Sequence, residues 1–218
     1  AESNAFPNDT MPKGLPHSSK EPHQDPKIAK HCIRSNVDFL GFILNVKESP
    51  RNIDFNLANE ILKLVNKKIE TVAVTKNPSE ETVLSIKELP FSYIQVHGNL
   101  APDEIERIKK ISNKKIIKAF NLKDEIDTQY IEKYSKFSDY YLFDSISSGS
   151  GKSFKWSLLK NIRLSRDFFL SGGLNIENIK EAISLVNTNY FDLSSGVEDK
   201  NHVKNEVKIT DLLNKIKN

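Results

Sequence analysis

With one cysteine in 218 residues, Cys32, the chain has no partner for an intramolecular disulfide and no Cys-x-x-Cys metal knuckle. A chain that needs no disulfide fits a reducing compartment. Long apolar runs are missing too, since no stretch approaches the roughly 20 residues that a membrane-spanning helix needs. No basic n-region followed by an apolar h-region opens the chain. Nor does one sign of charge dominate, because 32 basic against 29 acidic residues leave a formal net charge of +3. The lysines are scattered, as in Lys109-Lys110-Ile111, and do not gather with aromatics into the stripe that nucleic acid requires. These absences predict a soluble, cytoplasmic protein with no nucleic-acid partner, no membrane partner and no metal site.

What is present suits one domain with a full core. At 38% hydrophobic and 28% charged, the chain falls at the small end of the range for an eight-fold α/β barrel. Residues 1 to 24 are polar, hold four of the nine prolines and show neither helical nor strand periodicity. They read as an irregular or disordered arm ahead of a domain spanning 25 to 218. Asp25 is placed to cap, and Pro26 to open, a helix running to about Ser35 with Ile28, Ala29, Cys32 and Ile33 on one face.

Apolar runs rich in β-branched and aromatic residues then recur at 39–44, 71–75, 93–96, 115–120, 140–143, 168–170 and 190–193. Amphipathic segments at 56–67, 79–89, 102–111, 124–136, 155–162, 175–186 and 205–216 alternate with them. Strand followed by helix, repeated, implies parallel strands and right-handed crossovers. The fold class is α/β, a (βα)8 TIM barrel whose first strand is missing or irregular, because one more strand is needed where the sequence turns polar and proline-rich. An open doubly wound sheet is the alternative, but it places its phosphate loop after the first strand, and here the glycine loops come last.

Those loops are Ser171-Gly172-Gly173-Leu174-Asn175 and Asp192-Leu193-Ser194-Ser195-Gly196-Val197-Glu198. Small residues let backbone N–H groups approach phosphate oxygens, and a following helix N-terminus adds partial positive charge. The ends of strands 7 and 8 are where such barrels hold phosphate. Gly172, Gly173, Ser195 and Gly196 are therefore candidate phosphate ligands.

Other strand ends carry polar groups that would converge in a parallel barrel. Arg51, in Ser49-Pro50-Arg51, offers a guanidinium for a carboxylate, or is an exposed loop arginine. Gln95 and His97 share one face of their strand, as ligands or as structural groups. Asp144 ends Tyr140-Tyr141-Leu142-Phe143, where burial would raise its pKa and suit it to proton donation, or it caps the next loop. That loop, with Gly149, Ser150 and Gly151, has the composition of a flexible lid. Asp192 either holds sugar hydroxyls below the phosphate or anchors buried hydrogen bonds.

Leu-Gly-Phe with Ser-Pro-Arg, Gln-Val-His-Gly, Phe-Asp-Ser with Gly-Ser-Gly and Trp156, Ser-Gly-Gly-Leu-Asn and Asp-Leu-Ser-Ser-Gly-Val-Glu follow one another in that order. Together they resemble the phosphoribosylanthranilate isomerases, TIM barrels of tryptophan biosynthesis, from about Asp25 to the C-terminus. The resemblance implies a cofactor-free Amadori rearrangement of a small phosphosugar by a monomer or homodimer. It matches Asp144 to the general acid that opens the furanose and Arg51 to the residue holding the anthranilate carboxylate. His97 and Asp192 match positions lining the substrate, and Gly172, Gly173, Ser195 and Gly196 match the phosphate site.

The likeness departs at one point. The family's general base is a cysteine, and its slot falls here on Glu21, where neither thiol nor apolar strand is present. Cys32 sits on the packing face of a helix and reads as structural. Glu21 and His23 are the nearby groups able to accept a proton. Three functions follow: an isomerase whose arm supplies an unusual base, a catalytically impaired phosphosugar-binding barrel, or an interaction protein using open strand edges.

Overall fold

The computed structural model describes residues 26–65, 67–123, 125–145, 155–199 and 202–217. The expected arm with Glu21 and His23, and the lid residues Gly149, Ser150 and Gly151, lie outside the described residues.

Eight strands form one parallel sheet: β1 (Phe39–Leu44), β2 (Asn52–Ile53), β3 (Glu70–Lys76), β4 (Tyr93–His97), β5 (Lys115–Leu122), β6 (Tyr140–Ser145), β7 (Phe168–Leu170) and β8 (Tyr190–Phe191). Their order is β2-β1-β3-β4-β5-β6-β7-β8. Helices α1 (Pro26–Arg34), α2 (Phe55–Leu62), α3 (Glu80–Lys87), α4 (Pro102–Ser112), α5 (Thr128–Glu132), α6 (Ile179–Leu185) and α7 (Glu206–Lys217) alternate with them. This is the α/β barrel architecture that the repeat predicts. Seven strands are the seven apolar runs; the eighth, β2, was not expected. It is two residues long and lies parallel to the end of β1, with Ile43 opposite Asn52 and Leu44 opposite Ile53.

Local chemistry sets the helix starts. The Asp54, Ser79 and Asp127 side chains accept from the backbone N–H three residues on and begin α2, α3 and α5. Pro102 opens α4, and Glu104 reaches back to accept the Ala101 N–H at 2.7 Å. The cap at Asp127 shortens the helix expected from residue 124. The helix expected over 155–162 is only a 3-10 turn, Trp156–Leu159. Its two buried residues are three apart, the spacing that stacks side chains in a 3-10 helix. Among the described residues no helix is long and apolar enough to cross a membrane.

Alternation along the strands divides the core into two layers. Phe42, Leu44, Ala73, Ile94, Val96, Ile116, Phe143 and Leu170 pack outward with the helices. The intervening positions, Val72, Tyr93, Ile117, Ala119, Leu142 and Phe169 with Phe39, Tyr140 and Tyr190, fill the barrel. Their rings interlock near the strand starts, with centroids 5.1 Å apart for Phe39 and Phe169, 5.1 Å for Phe169 and Tyr190 and 5.2 Å for Tyr140 and Tyr190. This aromatic layer closes the N-terminal end of the barrel and leaves the C-terminal end for polar groups.

Candidate active site

The same period-two alternation carries each inward row upward from the aromatic floor to a polar side chain. Gln95 and His97 follow Tyr93, Asn121 follows Ala119, Asp144 follows Leu142, Ser171 follows Phe169 and Asp192 follows Tyr190. Strand register sets His97 opposite Lys76 and Asp144 opposite Asn121. Backbone bonds extend the sheet past its formal ends, from Ser171 N to Phe143 O and from Asp192 N to Leu170 O, both at 2.8 Å. These side chains therefore stand on the ends of paired strands.

Asp144 is buried, and its Oδ1 accepts the Ser145 N–H at 2.8 Å. Gly172 lies against it with φ at +88°, where a Cβ would come within 2.8 Å of Asp144 Oδ1 and 2.7 Å of Ser145 N. Only glycine allows the strand-7 loop to approach the carboxylate so closely. On the next strand the Ser171 hydroxyl donates to Asp192 Oδ2 at 3.4 Å. Burial, with the Asp144 charge adding to it and Lys204 opposing it, pushes the Asp192 carboxyl up to about 6. The two aspartates are electrostatic neighbours across one rim.

The two glycine loops touch. A Cβ on Gly196 would lie 1.9 Å from the Leu174 carbonyl oxygen, so the second loop rests directly on the backbone of the first. Asn178 Nδ2 donates to Gly173 O at 2.8 Å, and Asn175 Oδ1 accepts the Glu177 N–H at 2.8 Å. These asparagine bonds compete with helix formation, and α6 starts at Ile179, four residues later than its pattern predicts. The expected helix N-terminus next to the glycines is therefore displaced along the chain, so a phosphate held at Gly172, Gly173, Ser195 and Gly196 would rely on backbone alone.

Gln95 Nε2 donates to His97 Nε2 at 2.9 Å, so the imidazole proton sits on Nδ1. Burial, then the charges of Lys118 and Lys76, push His97 down to about 4. Its ring is neutral at physiological pH. Lys118 is itself buried on the outward face of β5, donating to Gly98 O at 3.0 Å and Ala119 O at 2.7 Å.

Arg51, expected to offer its guanidinium to a carboxylate, already holds one within the chain. Its two-donor edge is already occupied, with Nε 2.8 Å from Glu198 Oε1 and Nη2 2.6 Å from Oε2. The same Glu198 Oε1 accepts Lys204 Nζ at 2.7 Å, and Lys204 also donates to Ser194 O at 2.7 Å. Burial pushes the Glu198 carboxyl up, but the Arg51 and Lys204 bonds outweigh it and hold the group down at about 2. Glu198 and Lys204 were not singled out from sequence. Glu198 lies inside the quoted loop motif, but Lys204 carries no signal, since an isolated lysine there reads as surface. Cys32 packs with Val197, Ile209 and Leu212 beneath the last loop, and burial pushes its thiol up.

Among the described residues no group of three His, Cys, Asp or Glu side chains is placed to hold a metal ion. A cavity of about 340 Å³ opens at the strand starts, lined by residues such as Tyr93, Lys115, Tyr140 and Arg166, and contains none of the groups above. The polar groups gather at the opposite end. There a buried carboxyl beside a second carboxyl, a neutral imidazole, a tethered guanidinium and a bare backbone cradle suit proton transfer on a small dianionic ligand.

The family model that describes N-(5'-phosphoribosyl)anthranilate isomerase matches residues 20–215. A protein of that name from Petrotoga mobilis is 38% identical over 170 residues, covering 76% of this chain and 79% of its own length. One from Rhizobium rhizogenes is 32% identical over 199 residues, covering 88% and 89%. The crystal structure of phosphoribosyl anthranilate isomerase from Thermotoga maritima superposes with a TM-score of 0.79 at 29% identity, covering 88% of this chain and 94% of that one. A structure of the isomerase in complex with reduced 1-(o-carboxyphenylamino)-1-deoxyribulose 5-phosphate gives 0.77 at 27% identity, covering 89% and 94%.

Proposed function

Because the chain belongs to the N-(5'-phosphoribosyl)anthranilate isomerase family, we infer that it converts N-(5'-phosphoribosyl)anthranilate to 1-(2-carboxyphenylamino)-1-deoxyribulose 5-phosphate in tryptophan biosynthesis. The reaction is an internal redox exchange: C2' goes from alcohol to ketone while C1' is reduced. A proton delivered to the furanose oxygen lets the C1'–O bond break, and the anthranilate nitrogen lone pair closes an iminium. Loss of the C2' proton gives an enolamine, and its tautomer is the product.

The observation that carries this reading is the contact between Asp144 and the Gly172 loop. It supports an acid held within one sugar's length of a phosphate cradle. In this reading Asp144 protonates the furanose oxygen, and Asp192 and His97 line the sugar. Gly172, Gly173, Ser195 and Gly196 hold the phosphate, and Arg51 serves the anthranilate carboxylate. The slot for the C2' base, Glu21, lies outside the described residues.

Turnover of N-(5'-phosphoribosyl)anthranilate, measured beside calorimetry with the reduced product analogue, tests the proposal. Binding with turnover supports it. Binding alone would make the chain a phosphosugar-binding barrel. Neither would leave the interaction-protein reading.

A further inference from the structure

We propose that Glu198 is a positioning residue for substrate recognition, holding one edge of the Arg51 guanidinium so that its Nη1 end is aimed at the carboxylate of the arylamine. The inference rests on the isomerase reading of this site and adds to it the residue that sets its selectivity.

Two parallel N–H···O bonds fix the plane of a guanidinium as well as its position. Glu198 makes both, at 2.8 and 2.6 Å, from a side chain only 2% exposed. Arginine has five donors. Nε and Nη2 are engaged here, and Nη1 takes no hydrogen bond among the described residues although the Arg51 side chain is only 11% exposed. A donor pair left unengaged on a half-buried, clamped fork is matched to an incoming carboxylate.

The charges around the pair point the same way. Arg51 and Lys204 both rest on Glu198, and Lys208 Nζ donates to the Glu198 backbone oxygen at 2.7 Å. His202 Nδ1 lies 3.5 Å from Glu198 Oε2 on the exposed side. Asp192 is the other carboxyl facing Lys204. Three basic side chains thus meet Glu198 and one carboxyl that burial favours protonating, which leaves room for an anionic ligand.

Connectivity explains why this glutamate bears on specificity and not only on stability. Glu198 N donates to Ser195 O at 3.1 Å, and Lys204 ties the Ser194 carbonyl to the same carboxylate. One side chain therefore fixes Arg51 relative to the Ser195-Gly196 cradle, setting the distance between the group that receives the carboxylate and the group that receives the phosphate.

The test uses two probes: the reduced product analogue and the same molecule built on aniline, without the carboxyl. Wild-type protein should bind the first more tightly. In Glu198→Gln the preference should shrink by about tenfold and KM should rise by a similar factor with kcat nearly unchanged, the pattern of lost uniform binding. Affinity for the aniline probe should hold. In an Arg51→Ala background, Glu198→Gln should add nothing. Glu198→Asp keeps the charge one methylene shorter and should lose part of the preference; it carries the test if the glutamine variant does not fold. Unchanged discrimination in either folded variant, or equal loss of both probes, overturns the proposal alone. A wild-type protein that binds neither probe overturns the isomerase reading and this proposal with it.

Discussion

Replacing Asp192 with asparagine should stabilise the protein at neutral pH and leave its stability unchanged in acid. Asp192 is half-buried beside Asp144, and its carboxyl is moved from 3.8 to about 6. At 1.36 kcal/mol per pKa unit, that displacement corresponds to about 3 kcal/mol working against the charged native form. The sign follows from linkage. Between pH 3.8 and 6 the native carboxyl holds a proton that the unfolded one has released, so stability falls as pH rises through this window and stays low above it. Asparagine has the same shape, keeps an acceptor for the Ser171 hydroxyl and turns an amide toward Asp144.

The gain should be smaller than the full figure, because the variant also forfeits the attraction between Asp192 and Lys204. About 1–2 kcal/mol at pH 7.5 is a reasonable net, or roughly 2–8 °C in Tm for a chain of this size. Urea unfolding at pH 7.5, 5.5 and 4 reads it directly: the variant should lead at 7.5 and the curves should converge by 4. A variant that is less stable at pH 7.5, or a gap that does not change with pH, would mean that Asp192 is a net stabiliser through Lys204. The stabilised variant should also bind the sugar analogue less tightly, as expected where a binding group is held at the expense of stability.

Asp144→Asn should abolish turnover while sparing affinity for the reduced product analogue; undiminished kcat would remove Asp144 from the acid role. Gly196→Ala should lower Tm by about 2–10 °C and weaken analogue binding, because its Cβ meets the Leu174 carbonyl at 1.9 Å and the two loops must separate. Gly41→Ala is the control, since its nearest neighbour is a side-chain methyl at 3.4 Å and melting should shift little. His97 is held down at about 4 against an ordinary 6.5, so the unfolded state takes up its proton first and this group erodes stability as pH falls from about 6.5 to 4. Measured as denaturant midpoints at pH 7.5 and 4.5, His97→Gln should gain on wild type in acid, and an unchanged difference would count against a neutral imidazole.

The strands were legible because burial on both faces of a parallel sheet leaves a nearly continuous apolar run, and each polar residue that interrupts such a run marks where the barrel opens. Asp144 and Asp192 could be found for that reason. β2 could not. Its two residues are set by a loop in which Val46 N donates to Asn52 Oδ1 at 2.8 Å and Asn52 N to Ser49 O at 3.1 Å, and such bonds leave no periodic trace. The start of α6 was misplaced for a related reason: the asparagine side chains that bind Gly173 also read as part of an amphipathic helix.

Arg51 shows where residue-by-residue reading stops. From sequence its guanidinium is expected to meet a ligand carboxylate, and the carboxylate it grips in the fold lies 147 positions away in the same chain. Nothing local to either residue announces the pair, because it exists only once the sheet brings the end of β1 near the turn that follows β8. The consequence is chemical. A lone loop arginine would pay side-chain entropy on meeting each ligand, whereas one clamped by Glu198 and shielded from water has already lost that freedom on folding. If Arg51 receives the aryl carboxylate as proposed, selectivity for an anionic aryl group rests on this same long-range contact, and a change at Glu198 should register in ligand discrimination before it registers in the fold.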